Sequence, residues 1–221
     1  MRQFLRGLVS WRTWWRREVF VRKIEFKAKV AHAAVKLDVA REVRIGKRVT
    51  VYIEPGTQNE LALGPGSRLD DDVCIDLKGG RFLGGPLTEI RRGGQISVNG
   101  ELIMRYRNVI SYFGMIHCAE RIELDDYAGA SEMVTIVDSR HFHSDAETYI
   151  YENMDSAPVK IGRNTWLANK STVLMGVTIG QCVVIASHAV VNKDIPDYTL
   201  AGGIPAKPLR ATVEPRMETA G

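Results

Sequence analysis

The feature that most constrains the fold is a six-residue period of apolar residues, clearest in the last third of the chain. It is carried there by Ile161, Leu167, Val173, Ile179, Ile185 and Val191. It recurs earlier, with shifts of register, at Ile45, Val51, Leu63, Leu69 and Ile75 with a miss at Thr57, at Ile90, Ile96 and Leu102, and at Leu124, Ala130 and Ile136. Seventeen of these eighteen positions are apolar, although the hydrophobic content of the chain is only 45%.

A period of six fits neither an α-helix nor simple strand alternation. It predicts short strands joined by tight turns, with one apolar side chain per repeat stacked above its equivalent in the neighbouring coil. Small residues often follow the apolar one and suit corners with a positive φ or a close backbone approach; they are Gly46, Gly64, Gly162, Ala168, Gly180 and Ala186. We therefore predict an all-β fold, a parallel β-helix over 43–200. A β-sandwich would need several hairpin signals, and Asn99-Gly100 is the only clear one.

The segments on either side of this repeat differ from it. Residues 1–39 form a predicted helical arm, whose apolar stripe contains Phe4, Leu8, Trp11, Trp15 and Val19. Residues 1–30 contain nine basic and two acidic side chains, a net +7, which leaves 21 basic and 24 acidic side chains, a net −3, for the rest. Arginine and tryptophan beside an apolar face fit either an interfacial membrane helix or a cap on the β-helix end that buries its tryptophans. Residues 201–221 are predicted to be an extended, partly ordered tail.

Charge and cysteine content narrow the class of protein further. The basicity is confined to the arm, which has no recognised nucleic-acid-binding module, so we expect no nucleic-acid partner. Cys74, Cys118 and Cys182 are widely spaced and odd in number, which favours reduced cysteines in a reducing compartment. No stretch reaches the roughly 20 apolar residues that span a bilayer. We expect a cytoplasmic protein, membrane-associated at the cytoplasmic face if the arm binds lipid.

Several motifs in the C-terminal part carry a family resemblance. Ile161-Gly-Arg-Asn-Thr-Trp-Leu-Ala, Gly176-Val-Thr-Ile-Gly180, Lys193-Asp-Ile-Pro196 and Ala201-Gly-Gly-Ile-Pro-Ala-Lys207 resemble the hexapeptide-repeat acyltransferases. Within these, the chain is most similar to maltose, galactoside and capsular-polysaccharide O-acetyltransferases. The resemblance implies a left-handed β-helix, a homotrimer, acetyl-CoA or another acyl-CoA bound between subunits, and no metal. It also implies O-acetylation of a sugar hydroxyl in a polysaccharide or glycolipid precursor.

The resemblance also assigns a catalytic residue. In these enzymes the catalytic histidine follows a Val-Thr-Ile coil, and Val134-Thr-Ile-Val-Asp-Ser-Arg-His141 places His141 there. An imidazole can take the proton of a sugar hydroxyl as its oxygen attacks the thioester. Asp138 is a candidate for orienting the imidazole, and His143 is a candidate for a supporting contact in the substrate loop.

Binding residues come from two sources. By family position, the candidates for CoA are Asn169, Ser187, Asn192, Lys193 and Arg210, the last two near the CoA phosphates. The stretch 142–158 breaks the six-residue period, and loops that interrupt a rigid scaffold often bind ligands. Its Tyr149, Tyr151 and Glu152 are candidates for binding the acceptor sugar.

Two other functions remain open from the sequence. A γ-carbonic-anhydrase-like zinc hydratase uses the same helix, and His141 and His143 would supply two of its ligands. The second closely spaced pair of ligand histidines is missing. A non-catalytic β-helix scaffold is the other alternative.

Overall fold

The computed structural model describes residues 11–212, which form one α-helix, α1 (Trp11–Val30), 25 strands and one short 3-10 helix. Twenty-three of the strands form three sheets, here called A, B and C. Sheet A contains β1 (Ala34–Val39), β4 (Gln58–Leu63), β7 (Arg81–Gly84), β10 (Glu101–Met104), β13 (Arg121–Leu124), β18 (Val159–Ile161) and β21 (Thr178–Ile179). Sheet B contains β2 (Arg44–Ile45), β5 (Arg68–Leu69), β8 (Glu89–Ile90), β11 (Val109–Ile110), β14 (Gly129–Ala130), β19 (Trp166–Leu167), β22 (Val184–Ile185), β24 (Thr199–Gly203) and β25 (Ala206–Ala211). Sheet C contains β3 (Thr50–Ile53), β6 (Cys74–Leu77), β9 (Gln95–Val98), β12 (Met115–Cys118), β15 (Thr135–Val137), β20 (Thr172–Val173) and β23 (Val190–Val191).

The chain visits sheets A, B and C in turn, so each circuit is one coil with three corners, called A/B, B/C and C/A. Neighbouring strands within a sheet are parallel, except for the final antiparallel pair β24 and β25. The predicted β-helix is therefore confirmed. It begins at Ala34 in β1, which lies inside the segment that the sequence assigned to the arm.

The core of the β-helix consists of apolar columns that run from coil to coil. All seventeen apolar positions of the six-residue period are buried. In sheet B the strand register stacks one inward residue from each coil; the column is Ile45, Leu69, Ile90, Ile110, Ala130, Leu167, Ile185 and Ala201. Since no single coil encloses an apolar interior, each coil depends on its neighbours for burial.

The coils are not all the same length, which explains the register shifts in the sequence. Glu60 lies 24 residues after Lys36 and 21 residues before Arg81, its partners on the two adjacent coils. The next two coils have 20 residues each. After residue 158 the coil that joins Asn164 to Cys182 has 18 residues, which is three hexapeptides. We call the coils over 34–137 the broad coils and those from 159 onward the narrow coils.

The added residues of the broad coils create one more inward column, beside the C/A corner. Leu77 stacks on Val98, and Val98 stacks on Cys118. All three side chains are fully buried. We call Leu77, Val98 and Cys118 the extra column.

The small residues after the apolar positions are explained by close approach and not by backbone conformation. A Cβ at Gly46 would lie 2.4 Å from the backbone of Asp70. The positive φ values occur two residues later in the turns, for example at Arg48 and at Asn164, which follows Gly162. These glycines are therefore required because the backbone of the next coil lies too close for a Cβ atom, and not because the backbone is left-handed.

Helix α1 lies across the open end of the first coil, in contact with β1, β2 and β3. Its buried residues are Phe20, Ile24 and Ala28. This part of the helix is therefore a cap, but through a different stripe from the predicted one, because Trp11 and Trp15 are exposed. Phe4 and Leu8 lie outside the described residues. Within 11–212 no helix is long and apolar enough to cross a bilayer.

Basic residues of α1 also satisfy backbone carbonyls at this end. Arg17 donates to the carbonyl of Val39, Arg16 to that of Ile45 and Lys27 to that of Val51. These carbonyls belong to strands β1, β2 and β3, so one cation serves each sheet. An edge strand presents unpaired backbone groups, and here the helix covers them.

The opposite end is closed by the β24–β25 hairpin, which extends the ordered structure to residue 212. The hairpin lies in the segment predicted to be a partly ordered tail. Its turn contains a cis Ile204–Pro205 bond.

Candidate active site

The stacking of coils is broken once between residues 34 and 203, by an excursion over 138–158 at the C/A corner. Strands β16 (Ser139–His141) and β17 (Met154–Ser156) form an antiparallel pair at its base. A short 3-10 helix, Ile150–Glu152, lies near its tip. The excursion leaves the β-helix where the last broad coil gives way to the first narrow coil.

His141 lies at the end of β16 with its ring exposed. Its Nδ1 is 3.1 Å from the carbonyl oxygen of Asn153. A carbonyl only accepts hydrogen bonds, so this contact requires the proton on Nδ1 and leaves the lone pair on Nε2. The tyrosine ring of Tyr151 packs edge-on against the imidazole, with ring centroids 4.9 Å apart. The geometry therefore holds the ring in the tautomer that a general base needs.

Of the three acceptor candidates, Tyr151 packs against His141, and Tyr149 packs against Tyr151. The rings of Tyr149 and Tyr151 are 5.3 Å apart, and both side chains are about two-thirds exposed. They form an aromatic surface next to the imidazole. Glu152 and His143 are exposed on the same excursion and form no hydrogen bond or ring contact with His141. Both residues share the segment, but their predicted roles stay predictions.

Asp138 does not contact His141. Its side chain is fully buried, and its carboxylate accepts hydrogen bonds from the backbone N–H groups of Ala119, Glu120 and Arg121 at 2.6 to 2.8 Å. Its own carbonyl accepts from the N–H of Ala157, across the base of the excursion. The contacts therefore differ from the orienting role that the sequence suggested, since the carbonyl of Asn153 takes that place at Nδ1.

The position of Asp138 follows from the register of sheet C. Val137 stacks on His117, so Asp138 lies over Cys118 at the end of the extra column. Burial, together with the nearby charge of Asp138, raises the pKa of the Cys118 thiol to about 12. The thiol stays protonated at neutral pH, and this cysteine is a core residue without nucleophilic character.

The five CoA candidates lie at different places on a single chain. Asn169 and Ser187 are exposed at the B/C corner of consecutive narrow coils, where the N–H of His188 donates to the carbonyl of Asn169. Asn192 and Lys193 are exposed at the C/A corner, which is also the corner of the excursion. Arg210 is exposed on β25 and donates to the carbonyl of Ala211.

Comparisons with known proteins agree with this architecture. No protein-family model matches the chain. The probable acetyltransferase Rv3034c of Mycobacterium tuberculosis is 41% identical over 87 residues, which is 39% of this chain and 29% of that protein. The putative acetyltransferase C18B11.09c of Schizosaccharomyces pombe is 55% identical over 53 residues, 24% of this chain and 26% of that protein. The chain thus spans less than a third of the length of these curated relatives.

A solved structure extends the likeness over most of the fold. The N-acyltransferase AntD of Bacillus cereus, in complex with dTDP and coenzyme A, aligns with a TM-score of 0.53 at 18% identity, covering 79% of this chain and 83% of that one. The chain has the fold of the hexapeptide-repeat acyltransferases. The resemblance that the sequence motifs carried is confirmed at this level.

Three parts of the outer surface of this hexapeptide-repeat fold differ in character: sheet A, the B/C corner and the C/A corner. Sheet A carries a ladder of ion pairs, Lys36–Glu60–Arg81–Glu101–Arg121, in which each charged side chain meets its neighbour on the next coil. At the B/C corner, the fourth and fifth coils expose the apolar side chains of Tyr112, Phe113, Met115 and Met133. The C/A corner carries the excursion. Within residues 11–212, no group of three or more His, Cys, Asp or Glu side chains is placed to hold a metal ion.

Sequence reasoning missed one contributor to the site and gave Asp138 a different role from the one its contacts show. The carbonyl of Asn153 orients His141, and a backbone group leaves no signal in the side-chain pattern. Asp138 has a detectable signal, because it is a carboxylate at a position that is apolar in the preceding coils. The signal becomes visible only once the length of the broad coils is known.

Proposed function

We propose that this protein is an acyltransferase that moves an acetyl group from acetyl-CoA to a sugar hydroxyl, with His141 as the general base. The observation that carries the proposal is the 3.1 Å contact between Nδ1 of His141 and the carbonyl oxygen of Asn153, which leaves Nε2 of this exposed side chain available as the base. The hexapeptide-repeat fold and the acetyltransferase relatives support the reaction class. CoA is present in the AntD structure with the same fold.

The chemistry follows from the imidazole. Nε2 of His141 takes the proton of the acceptor hydroxyl as the hydroxyl oxygen forms a bond to the thioester carbonyl carbon. The tetrahedral intermediate then breaks its carbon–sulfur bond, and the imidazolium returns the proton to the departing thiolate. The hydrogen bond to Asn153 keeps the ring oriented through both proton transfers. A base of this kind contributes about 10² to 10⁴ in rate.

We propose a homotrimer with acyl-CoA bound between subunits. On one chain the CoA candidates divide between the B/C corner, with Asn169 and Ser187, and the C/A corner, with Asn192 and Lys193. If the B/C corner of one subunit faces the C/A corner of the next, the two sets meet in one groove beside His141. The exposed apolar side chains at the B/C corner support this arrangement, since apolar surface of this kind is typical of subunit contacts. Lys193 and Arg210 are then the cations for the CoA phosphates.

We propose that the excursion binds the acceptor, a sugar unit of a polysaccharide or glycolipid precursor. Tyr149 and Tyr151 provide aromatic faces for a sugar ring next to the imidazole, and Glu152 provides a carboxylate for its hydroxyls. The three residues and His141 belong to the same excursion, which β16 and β17 hold at its base. If α1 also meets a membrane at the cytoplasmic face, the acceptor is lipid-linked.

The central experiment is transfer from acetyl-CoA to a panel of sugars, with hydroxyl and amino acceptors, followed by mass spectrometry. For His141→Ala we expect a fall in kcat of about 10² to 10⁴, with unchanged trimer mass and CoA affinity. Asp155→Ala, which changes a residue of the same excursion with no predicted role in the site, is the control and should keep most of the activity. Near-normal turnover by the His141 variant would reject the assignment.

Two further measurements separate the alternatives. Stoichiometric zinc in the purified protein, together with CO₂ hydration that depends on His141, would favour a hydratase. A trimer that binds CoA but transfers to no acceptor, even with longer acyl-CoA donors, would favour a scaffold.

A further inference from the structure

Helix α1 has two faces that serve different purposes. One face packs on the β-helix through Phe20, Ile24 and Ala28, and its Arg16, Arg17 and Lys27 donate to backbone carbonyls. The opposite face exposes large apolar side chains: Trp11 is 72% exposed, Trp15 50% and Phe26 68%. At about 100° per residue these three side chains fall within one sector of about 60° on the helix. The β-helix therefore leaves an aromatic face of α1 uncovered.

Cations surround this aromatic face. Arg12, Arg22, Lys23 and Lys29 are exposed and form no ion pair with any residue in 11–212. Across Trp11–Val30 the helix contains seven basic and two acidic side chains, a net +5, and one of the acids, Glu18, is paired with Arg17. The basic side chains that bind carbonyls at the β-helix end are thus different from the basic side chains that are exposed around the aromatic face.

A cleft beside the aromatic face adds a second, independent feature. It lies between α1 and the B/C corner of the first coil and is lined by Trp15, Lys23, Lys47 and Arg48 among others. The Lys47 ammonium makes no ion pair with any described residue, whereas Arg48 is bound by Asp72. A concave surface with two free ammonium groups next to an indole fits a phosphate group at the edge of an apolar phase.

We propose that this end of the molecule docks on an anionic lipid bilayer. The rings of Trp11, Trp15 and Phe26 enter the boundary between headgroups and acyl chains. The surrounding cations, including Lys23 and Lys47 in the cleft, pair with anionic headgroups. The lipid surface fits better than a protein partner, because the net +5 of α1 contrasts with the slightly acidic remainder of the chain.

The proposal fixes the height of the candidate active site above the membrane. Helix α1 crosses the end of the first coil, so the coils rise away from the bilayer. Strand β15, which precedes His141, belongs to the fifth coil, four steps above β3. At about 4.8 Å per step the imidazole lies about 20 Å beyond the first coil. Resting on the proposed function, this height requires an acceptor whose sugar extends well above the lipid surface.

The test is sedimentation of the full chain with sucrose-loaded vesicles of phosphatidylcholine, either alone or mixed with phosphatidylserine, and it needs neither acetyl-CoA nor an acceptor. We expect binding to the anionic vesicles that weakens in high salt, and about tenfold weaker binding to neutral ones. The variant Trp11→Ala/Trp15→Ala/Phe26→Ala and the variant Arg22→Glu/Lys23→Glu should each lose about tenfold in partitioning. Trp166→Ala, an exposed tryptophan far from α1, is the matched control and should bind like the wild type.

Several outcomes overturn the proposal. One is equal partitioning on neutral and anionic vesicles, and another is wild-type binding by the triple variant. A third is a change of oligomeric mass in the triple variant without any vesicle binding by the wild type, which would assign the aromatic face to a second copy of the chain. Far-UV circular dichroism checks that each variant is folded. Loss of acyl transfer in the His141 variant is independent of all these results, so the two proposals fail separately.

Discussion

The broad coils before the excursion and the narrow coils after it both enclose an apolar interior, but they differ in the number of residues per coil. A narrow coil places two inward residues on each sheet, for example Val183 and Ile185 on sheet B. A broad coil adds an inward position next to the C/A corner, filled by Leu77, Val98 and Cys118 in successive coils. The wider interior must therefore be closed where the coils become narrow.

Asp138 closes it. The residue continues the extra column, but its carboxylate binds three backbone N–H groups of the coil below instead of offering an apolar surface to a coil above. The chain then leaves the β-helix and forms the excursion with His141. The candidate site therefore lies where the last broad coil is followed by the first narrow coil. At this position the C/A corner is not occupied by a stacked turn, and the chain can form a loop there.

The two regions also differ on their outer surface. The broad coils carry the ion-pair ladder of sheet A, in which Glu60 contacts both Lys36 and Arg81. The corresponding outward residues of the narrow coils, Lys160 and Thr178, form no such pair within the described chain. The outer face of sheet A therefore carries linked ion pairs in the broad coils but, within residues 11–212, none at Lys160 and Thr178.

The largest effect is expected from Asp138→Ala. The substitution removes a fully buried carboxylate and leaves three part-buried backbone N–H groups without their acceptor, and each unsatisfied group costs about 1 kcal/mol or more, so the free energy of unfolding should fall by about 3 kcal/mol. Urea denaturation followed by circular dichroism measures this free energy of unfolding.

Asp138→Asn keeps one oxygen acceptor and should lose less stability than Asp138→Ala. Asp155→Ala removes an exposed carboxylate of the same excursion and should be nearly neutral. A stability of Asp138→Ala within about 0.5 kcal/mol of wild type, the spread of typical surface substitutions, would remove the closing role.

The columns of the fold could be predicted from the sequence because stacking needs one apolar residue at a fixed interval. The six-residue period located Ile45, Leu69 and Ile185 in one interior without any knowledge of the coils. The period could not explain its register shifts, since the lengths of the broad coils after the first are not multiples of six. The extra column could therefore not be predicted from the sequence. For the same reason, the sequence did not explain why a carboxylate is buried at position 138.

The arm shows a different limit of sequence reasoning. Both the stripe through Trp11 and Trp15 and the stripe through Phe20, Ile24 and Ala28 have helical spacing, and periodicity does not say which one is buried. The end of the β-helix decides, because its free carbonyls favour the face that also carries Arg16, Arg17 and Lys27. At the site, the position of His141 came from the motif, whereas its partner at Nδ1 is a backbone carbonyl.

The extra column itself provides the next prediction. Leu77→Ala empties a fully buried position, and we expect a loss of about 2 to 3 kcal/mol, the lower part of the range for buried leucines, because the column lies at the edge of the interior. Met175 is the matched control, as it lies two residues after the inward Val173 at the same corner of a narrow coil and is only half-buried. Met175→Ala should cost on the order of 1 kcal/mol. Equal losses for the two variants, measured by the same urea denaturation, would show that broad and narrow coils do not differ at this corner.

The smallest effect concerns the ladder on sheet A and depends on pH. The hydrogen bond from Lys36, followed by that from Arg81, holds the pKa of Glu60 below its ordinary value of 4.5. A lowered pKa in the folded state stabilises the protein above the unfolded pKa, and the contribution is lost as the pH falls through the folded pKa. Since Lys36 and Arg81 are 74% and 52% exposed, solvent screens the pairs, and Glu60→Gln should cost less than about 1 kcal/mol at pH 7.

Thermal melts from pH 7 down to pH 3, a range chosen to cross the titration, should show the stability of the variant approaching that of the wild type as the pH falls. Lys160→Gln in a narrow coil should leave the acid dependence unchanged. A Glu60 variant that differs from wild type by the same amount at every pH would mean that the ladder contributes through packing and not through charge.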